Sequence, residues 1–273
     1  MNKLSILMKV IVLALIEGVS EWLPISSSGH LLLFDIFINL EMPESFKELF
    51  FILVQLGAII AVVVVFFKKI VPIQSHDKNI TINRATLNLW IKIFIACAPG
   101  AIVAILLDNY VDDHFDTPLV ISIMLILYGV IFLFIENLNF SKRSKITSLS
   151  EINYRYSFFI GMFQMLSIIP GTSRSGITII GGILLGLNKE IASEFSFYLA
   201  IPVMLGYSMI KLLKIGLILT VHEILLLFIG MLVSFLISVL VIKFILKYLT
   251  THSFKIFGIY RIILGVIVII FFR

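Results

Sequence analysis

Apolar runs dominate the chain, and they come in two lengths. Six are long enough to cross a bilayer once: 49–67, 90–107, 118–135, 194–213, 221–246 and 255–272. A spanning helix needs about 20 mostly apolar residues, within a range of about 17–25. Four runs are too short: 4–16, 31–40, 157–169 and 177–187. The short runs come in pairs, and each pair flanks a serine-rich break. The first break reads Pro24-Ile25-Ser26-Ser27-Ser28-Gly29-His30, the second Pro170-Gly171-Thr172-Ser173-Arg174-Ser175-Gly176. Proline and glycine stop a helix and free backbone N–H groups. Irregular backbone survives at membrane depth only inside protein or beside water. The pattern predicts an all-α polytopic integral membrane protein, with six transmembrane helices and two re-entrant helix-turn-helix hairpins. The long runs lack the strict alternation that barrel strands need.

The elements group into one membrane domain, 1–273, with two halves. The first, 1–135, holds the hairpin 4–40 and the spans 49–67, 90–107 and 118–135. The second, 152–273, holds the hairpin 157–187 and the spans 194–213, 221–246 and 255–272. Basic residues gather at 68–92 (Lys68, Lys69, Lys78, Arg84, Lys92), 136–155 (Lys142, Arg143, Lys145, Arg155) and 243–255 (Lys243, Lys247, Lys255). By the positive-inside rule these face the cytoplasm. Segment 108–117 carries Asp108, Asp112, Asp113 and Asp116 without Lys or Arg, and is read as an external loop. Alternation then opens the first hairpin outward and the second inward, and puts both termini outside, although Lys3 and Lys9 pull the other way. Oppositely oriented hairpins imply an inverted-topology repeat. An offset of 147 carries Ser26-Ser27-Ser28-Gly29 onto Ser173-Arg174-Ser175-Gly176 and Glu17 onto Gln164. Inverted repeats meet near the bilayer midplane, where broken helices build sites.

Composition sharpens this picture. The chain is 60% hydrophobic and only 14% charged, with a mean hydropathy of +1.13; soluble domains are about one-quarter charged. The net charge of +5 reports basic loops rather than nucleic-acid binding. The single cysteine, Cys97, excludes an intrachain disulfide and sits in an apolar run, as a packing residue would. The start of the chain mimics a signal peptide, but no small-x-small cleavage site follows, so it reads as part of the mature fold.

Charges at the breaks between the short runs mark the chemistry, because an ionisable residue at membrane depth is a functional-site hypothesis by default. Glu17 and Glu21 lie four apart, on one helix face. Two such carboxylates suit a hard divalent cation, Mg²⁺ or Ca²⁺, or acid–base work. A solvated hairpin mouth is the plainer alternative. Ser26, Ser27 and Ser28 follow, with His30 one helical turn after Ser27. A serine hydroxyl attacks only when a base takes its proton, and the i,i+3 spacing lets Ser27 and His30 meet. His30 as the nucleophile, or serines that merely cap the next helix, are the alternatives. Arg174 is the only charge between Arg155 and Lys189. Its guanidinium suits bidentate phosphate binding, unless it serves only to pair Glu17 or Glu21. Ser173, Ser175 and Thr178 add hydroxyls; Gly171 and Gly176 let backbone N–H groups approach an anion where a helix begins. Ser26 and Ser28 can also reach phosphate. Glu17, Glu21 and Arg174 sum to −1, so a diphosphate would call for a divalent cation to bridge carboxylates and phosphate oxygens. Glu194 and Pro202 read as packing and kink, Gln55 and Gly57 as close helix approach or pocket lining. His76, His114, His222 and His252 are scattered and read as surface residues.

The two breaks resemble the signatures of the bacterial undecaprenyl-diphosphate phosphatase family, the bacitracin-resistance proteins. Glu17-Gly18-Val19-Ser20-Glu21 with Trp22 through His30 is similar to the first signature, and Pro170 through Thr178 to the second. The pieces Phe51–Ala61 and Glu194–Gly206 fit too, and the likeness runs from end to end. The resemblance implies hydrolysis of undecaprenyl diphosphate to undecaprenyl phosphate, the lipid carrier of peptidoglycan and envelope polymers. It implies a multi-pass protein of the bacterial plasma membrane, open to the outer face and dependent on a divalent metal. Bacitracin resistance on overproduction is implied as well, the drug acting indirectly by sequestering the substrate. Ser27 would be the nucleophile, His30 its helper and Arg174 the phosphate ligand. Partners would be the lipid substrate and membrane lipids, with no nucleic acid; a homodimer and direct attack by metal-bound water stay open.

Two rivals frame that expectation. Inverted repeats with broken helices are also transporter features, and a lipid-carrier or solute transporter needs no activated Ser27. Acid-phosphatase-like lipid phosphatases carry similar Ser-Gly-His and Ser-Arg strings, but they need a late His-x-x-x-Asp, and no histidine here has Asp four residues on.

Overall fold

The computed structural model describes residues 3–76, 79–138, 140, 144–214 and 219–272. The short apolar runs fold as two helix pairs. The first is α1 (Lys3–Ser20) and α2 (Ser27–Ile38); the second is α7 (Tyr154–Met165) and α8 (Arg174–Leu184). At 1.5 Å per residue, α2, α7 and α8 are each only about 17–18 Å long, well short of an about 30 Å hydrocarbon core.

Among the described residues, five helices are long and apolar enough to cross a membrane: α3 (Glu44–Val65), α5 (Arg84–Phe115), α6 (Pro118–Asn137), α9 (Lys189–Lys214) and α10 (Val221–Thr251). The sixth expected span corresponds to α11 (Lys255–Phe271), whose 17 residues sit at the lower limit for spanning. A single turn, α4 (Phe67–Ile70), follows α3. The architecture is that of an all-α polytopic membrane protein.

Two expectations need correction, and one element was not foreseen. Within the basic segment 68–92, β1 (Ile73–His76) and β2 (Asn79–Ile82) form an antiparallel hairpin, with Ile73 opposite Ile82. Lys78, like Lys142 and Arg143, lies outside the described residues. The acidic segment 108–117 is not a loop. Helix α5 continues through it to Phe115, and the turn is confined to Asp116 and Thr117, where the Thr117 hydroxyl accepts from Val120 N–H to start α6. Charge ended the apolar run there, but the backbone hydrogen bonding did not stop with it. Helix α1 likewise runs past residue 16 and takes Glu17 with it.

The principal helix pairs are α3 on α10, α6 on α11, α5 on α7 and α1 on α10. Small residues let the backbones touch: the α-carbon of Gly57 faces the carbonyl of Met231, and Gly129 and Gly258 abut each other's carbonyls. In lipid, such close packing drives helix association. Exposed Met8, Ile105, Leu213 and Leu240 clothe the outside in apolar side chains. The largest core cluster, with Trp22, Phe132, Phe195, Phe197 and Tyr198 all buried, gathers around the second hairpin.

Candidate active site

The two serine-rich breaks fold as turns that touch. Both rest on a serine with left-handed backbone: Ser26 has φ 74° and Ser173 has φ 69°. Neither is glycine, and such a conformation costs about 1–3 kcal/mol unless its surroundings hold it. Here the serine hydroxyl helps. Ser173 Oγ accepts from Gly176 N–H at 3.2 Å and caps α8; Ser26 Oγ makes the equivalent, longer 3.5 Å contact with Gly29 N–H at the start of α2. Each capping hydroxyl also meets the serine two residues on, Ser28 at 3.1 Å and Ser175 at 3.3 Å.

Side chains then cross between the turns. Gly171 N–H donates to Ser28 Oγ at 3.3 Å, and Ser175 Oγ donates to the Glu21 carbonyl at 3.3 Å. Gly171 must be glycine, since its φ is +87° and a Cβ would lie 2.6 Å from the Ile121 carbonyl oxygen.

Glu21 is the hub. Its Oε2 accepts from Ser27 Oγ at 2.8 Å, and its Oε1 pairs with Arg174 Nη2 at 2.7 Å. The second Arg174 nitrogen, Nη1, donates to the Ser196 carbonyl at 3.0 Å. The guanidinium also lies 5.8 Å over the Trp22 ring, and Met204 Sδ approaches Nη2 at 3.1 Å. The candidate nucleophile and the candidate phosphate ligand, from opposite halves of the chain, thus share one carboxylate. Glu17 is buried, and its Oε2 has no hydrogen-bond partner.

His30 is held differently from the expectation. Its Nδ1 lies 2.7 Å from the Ser26 carbonyl oxygen, so Nδ1 carries the proton, and Nε2 lies 2.6 Å from Tyr260 Oη. Both ring nitrogens are engaged away from Ser27. The i,i+3 spacing brought the residues to one turn of helix, but the side-chain bond from Ser27 goes back to Glu21. The Glu21 carboxylate, not the His30 ring, is in contact with that hydroxyl.

A cavity of about 600 Å³ opens at the meeting point. Glu21, Ser26, Ser27 and Ser28 line it from the first turn, and Gly171, Ser173, Arg174 and Ser175 from the second. Glu17, His30, Gly176 and Thr178 stand behind this wall. Thr178, expected on phosphate, is buried and bonded to the Arg174 carbonyl at 2.8 Å and to Ser196 Oγ at 2.6 Å. The cavity continues between α5 and α9, past Gly100 and Ala104 on one side and Val203 and Tyr207 on the other, to the exposed side chain of Ile105. Gln55 and Cys97 also border it, and Cys97 packs against the main core cluster as well. Glu194 lies elsewhere, bonded to Lys69 Nζ at 2.6 Å and to the Tyr198 hydroxyl.

Sequence reading missed Tyr260 and Arg261. Arg261 is the only charge between Lys255 and Arg273, in the middle of an apolar run. The rule that singled out Arg174 at membrane depth applies equally to it.

Comparison with known proteins agrees with these motifs. The family model described as "Bacitracin resistance protein BacA" matches residues 10–267. A protein of Enterococcus faecalis named undecaprenyl-diphosphatase is 53% identical over 265 residues, covering 97% of this chain and 96% of its own length. One of the same name from Lachnoclostridium phytofermentans is 51% identical over 262 residues, covering 96% and 95%. Another, from Streptococcus equi subsp. equi, is 48% identical over 268 residues, covering 97% and 96%.

Proposed function

Because the chain belongs to the bacitracin resistance protein BacA family, we propose that it hydrolyses undecaprenyl diphosphate to undecaprenyl phosphate and inorganic phosphate. One observation carries the reading: Ser27 Oγ and Arg174 Nη2 converge on the two oxygens of Glu21 at the wall of a cavity that leads to the apolar surface. The diphosphate would occupy the cavity between the turns, and the polyprenyl chain would leave between α5 and α9.

The mechanism follows from the contacts. Arg174 turns from Glu21 to the terminal phosphate, where its fork binds two oxygens. Ser27 Oγ attacks the terminal phosphorus and passes its proton to Glu21 Oε2. The bond from that phosphorus to the bridging oxygen breaks, Glu21 hands the proton to that oxygen, and undecaprenyl phosphate departs. The freed carboxylate then takes a proton from water as it attacks the phosphoserine, the Oγ–phosphorus bond breaks, and the proton returns to Ser27 Oγ as phosphate leaves. Positioning and charge stabilisation supply most of the rate in such transfers. His30, locked between Ser26 and Tyr260, keeps the start of α2 in place.

Glu17 and Glu21 fit a divalent cation: Glu17 Oε2 is buried without a partner, and Mg²⁺ needs only one or two carboxylates beside phosphate oxygens and water. When bound, the ion would neutralise charge on the diphosphate.

We further read the chain as six spans with two re-entrant hairpins in inverted halves, 1–135 and 152–273. The matched φ angles of Ser26 and Ser173 support that reading. The setting would be the bacterial plasma membrane, with the site open to the outer face. There the activity would recycle the envelope lipid carrier and confer bacitracin resistance.

The test is phosphate release from a polyprenyl diphosphate by purified protein in detergent, with Mg²⁺, with Ca²⁺ and with EDTA. Metal-dependent release that is lost in Ser27→Ala and Arg174→Ala is expected. Folded wild-type protein that releases no phosphate under any metal condition would sink the enzyme reading in favour of lipid transport.

A further inference from the structure

One buried charge is unused by that mechanism. The Arg261 side chain, in mid-α11, is 0% exposed, and its four hydrogen-bond acceptors are all backbone carbonyls. Nη1 donates to Pro24 at 3.3 Å; Nη2 donates to Gly171 at 2.8 Å, to Thr172 at 3.2 Å and to Met124 at 3.4 Å. Pro24 belongs to the first turn, Gly171 and Thr172 to the second, and Met124 to α6. The Tyr128 ring lies 5.8 Å from the guanidinium carbon. Among the described residues no carboxylate pairs with Arg261.

A buried cation without an acidic partner is costly, and it persists only where dipoles replace its hydration. Here the compensating dipoles belong to both turns. Arg261 does not line the cavity, so it acts through the turns and not on a substrate. Other contacts between the turns run through groups that line the cavity: Arg174 to Glu21, Gly171 N–H to Ser28 Oγ, and Ser175 Oγ to the Glu21 carbonyl. The Arg261 bonds lie outside that set. A planar guanidinium also suits the task better than an ammonium, because its donors are fixed in one fork.

We propose that Arg261 is a positioning residue that clamps the two turns together and so sets Ser27 against Arg174 whether or not the site is filled. It also changes the charge balance. Glu17, Glu21 and Arg174 sum to −1, and Arg261 behind the turns brings the local total to 0. The proposal rests on the reading of these turns as the phosphate site, but its first test does not require activity.

Cys97 is the only cysteine, so Cys97→Ala gives a clean background for labelling. Nitroxides at Phe37→Cys and Leu184→Cys, at exposed positions near the far ends of α2 and α8, report the spacing of the hairpins by pulsed electron spin resonance. In Arg261→Met the distance distribution should broaden or shift, while Arg261→Lys should restore part of the original spacing. In phosphate release, Arg261→Met should lose kcat by on the order of 100-fold with KM within about threefold, because misplacement by about 1 Å has that effect. Lysine should recover part of kcat. An unchanged distribution in Arg261→Met, or no recovery by lysine in either readout, would overturn the clamp. Failure of both variants to fold would assign Arg261 to global stability and overturn it equally. If wild-type protein proves inactive, the enzyme reading fails, while the distance measurement still decides the clamp.

Discussion

The two turns share a backbone and divide the chemistry. At an offset of 147 residues, Ser26 and Ser173 adopt the same left-handed conformation, and each contacts a glycine N–H three residues on and a serine hydroxyl two residues on. The side chains around that frame diverge. Where the first turn has Glu21, Ser27 and His30, the second has Ile168, Arg174 and Ile177. The first therefore carries the hydroxyl and its carboxylate, and the second carries the cation. A repeated cap supplies two helix starts with N–H groups available to an anion, but only the pair of turns brings together the hydroxyl, the carboxylate and the guanidinium on which the proposed mechanism rests. Neither hairpin alone holds all three.

The sharpest test of this division is Ser27→Ala. The variant removes the hydroxyl bonded to the Glu21 carboxylate and leaves the frame intact. Phosphate release should fall by at least about 10³-fold, as when a nucleophile is removed from a unit that acts together. Thermal unfolding should stay close to wild type. Substantial residual turnover would move the nucleophile out of the first turn.

Arg174→Lys probes the second turn. Lysine keeps the charge but loses the fork that reaches Glu21 and the Ser196 carbonyl together. A loss of about 10²-fold in kcat/KM is expected, smaller than for Ser27→Ala. A lysine variant with wild-type kcat/KM would show that only a point charge is needed there.

The shared frame makes its own, smaller prediction. Ser26→Val and Ser173→Val place β-branched side chains at positive φ and delete the capping hydroxyls. Each should destabilise by about 1–3 kcal/mol, read as a drop in thermal midpoint, with glycine at the same positions milder. Unequal losses at the two positions would break the equivalence of the turns.

What the sequence made legible follows the same division. Charges at the breaks between short apolar runs pointed to Glu17, Glu21 and Arg174, because a charge at membrane depth is costly and marks a candidate site. The serine motifs identified the turns. The partner of Ser27 was not legible. Spacing along a helix says which residues share a face, and it allowed Ser27 to meet His30. The outcome depended on a tertiary contact 230 residues away, where Tyr260 Oη takes the free ring nitrogen of His30. Arg261 was visible as a charge, but it sat within a run already assigned to a span. Its four acceptors are backbone carbonyls, which leave no mark on side-chain patterns. Helix α5 passed through its acidic end for a related reason: hydrogen bonding closes a helix, while hydropathy only says where lipid ends.

Tyr260→Phe carries the smallest expected effect and bears on the asymmetry most directly, since the second turn has Ile177 where the first has His30. The substitution removes the hydroxyl from His30 Nε2 and keeps the stacked ring, whose centroid lies 5.4 Å from the imidazole. One neutral hydrogen bond is lost, so stability should fall by about 1 kcal/mol. If His30 only anchors the start of α2, kcat should fall no more than a few-fold, which single-turnover phosphate release can resolve. A loss that rivals Ser27→Ala would instead make the Tyr260–His30 pair part of the proton path. Glu21 would then be reduced to an electrostatic partner of Arg174, and the first turn would need α11 to complete its chemistry.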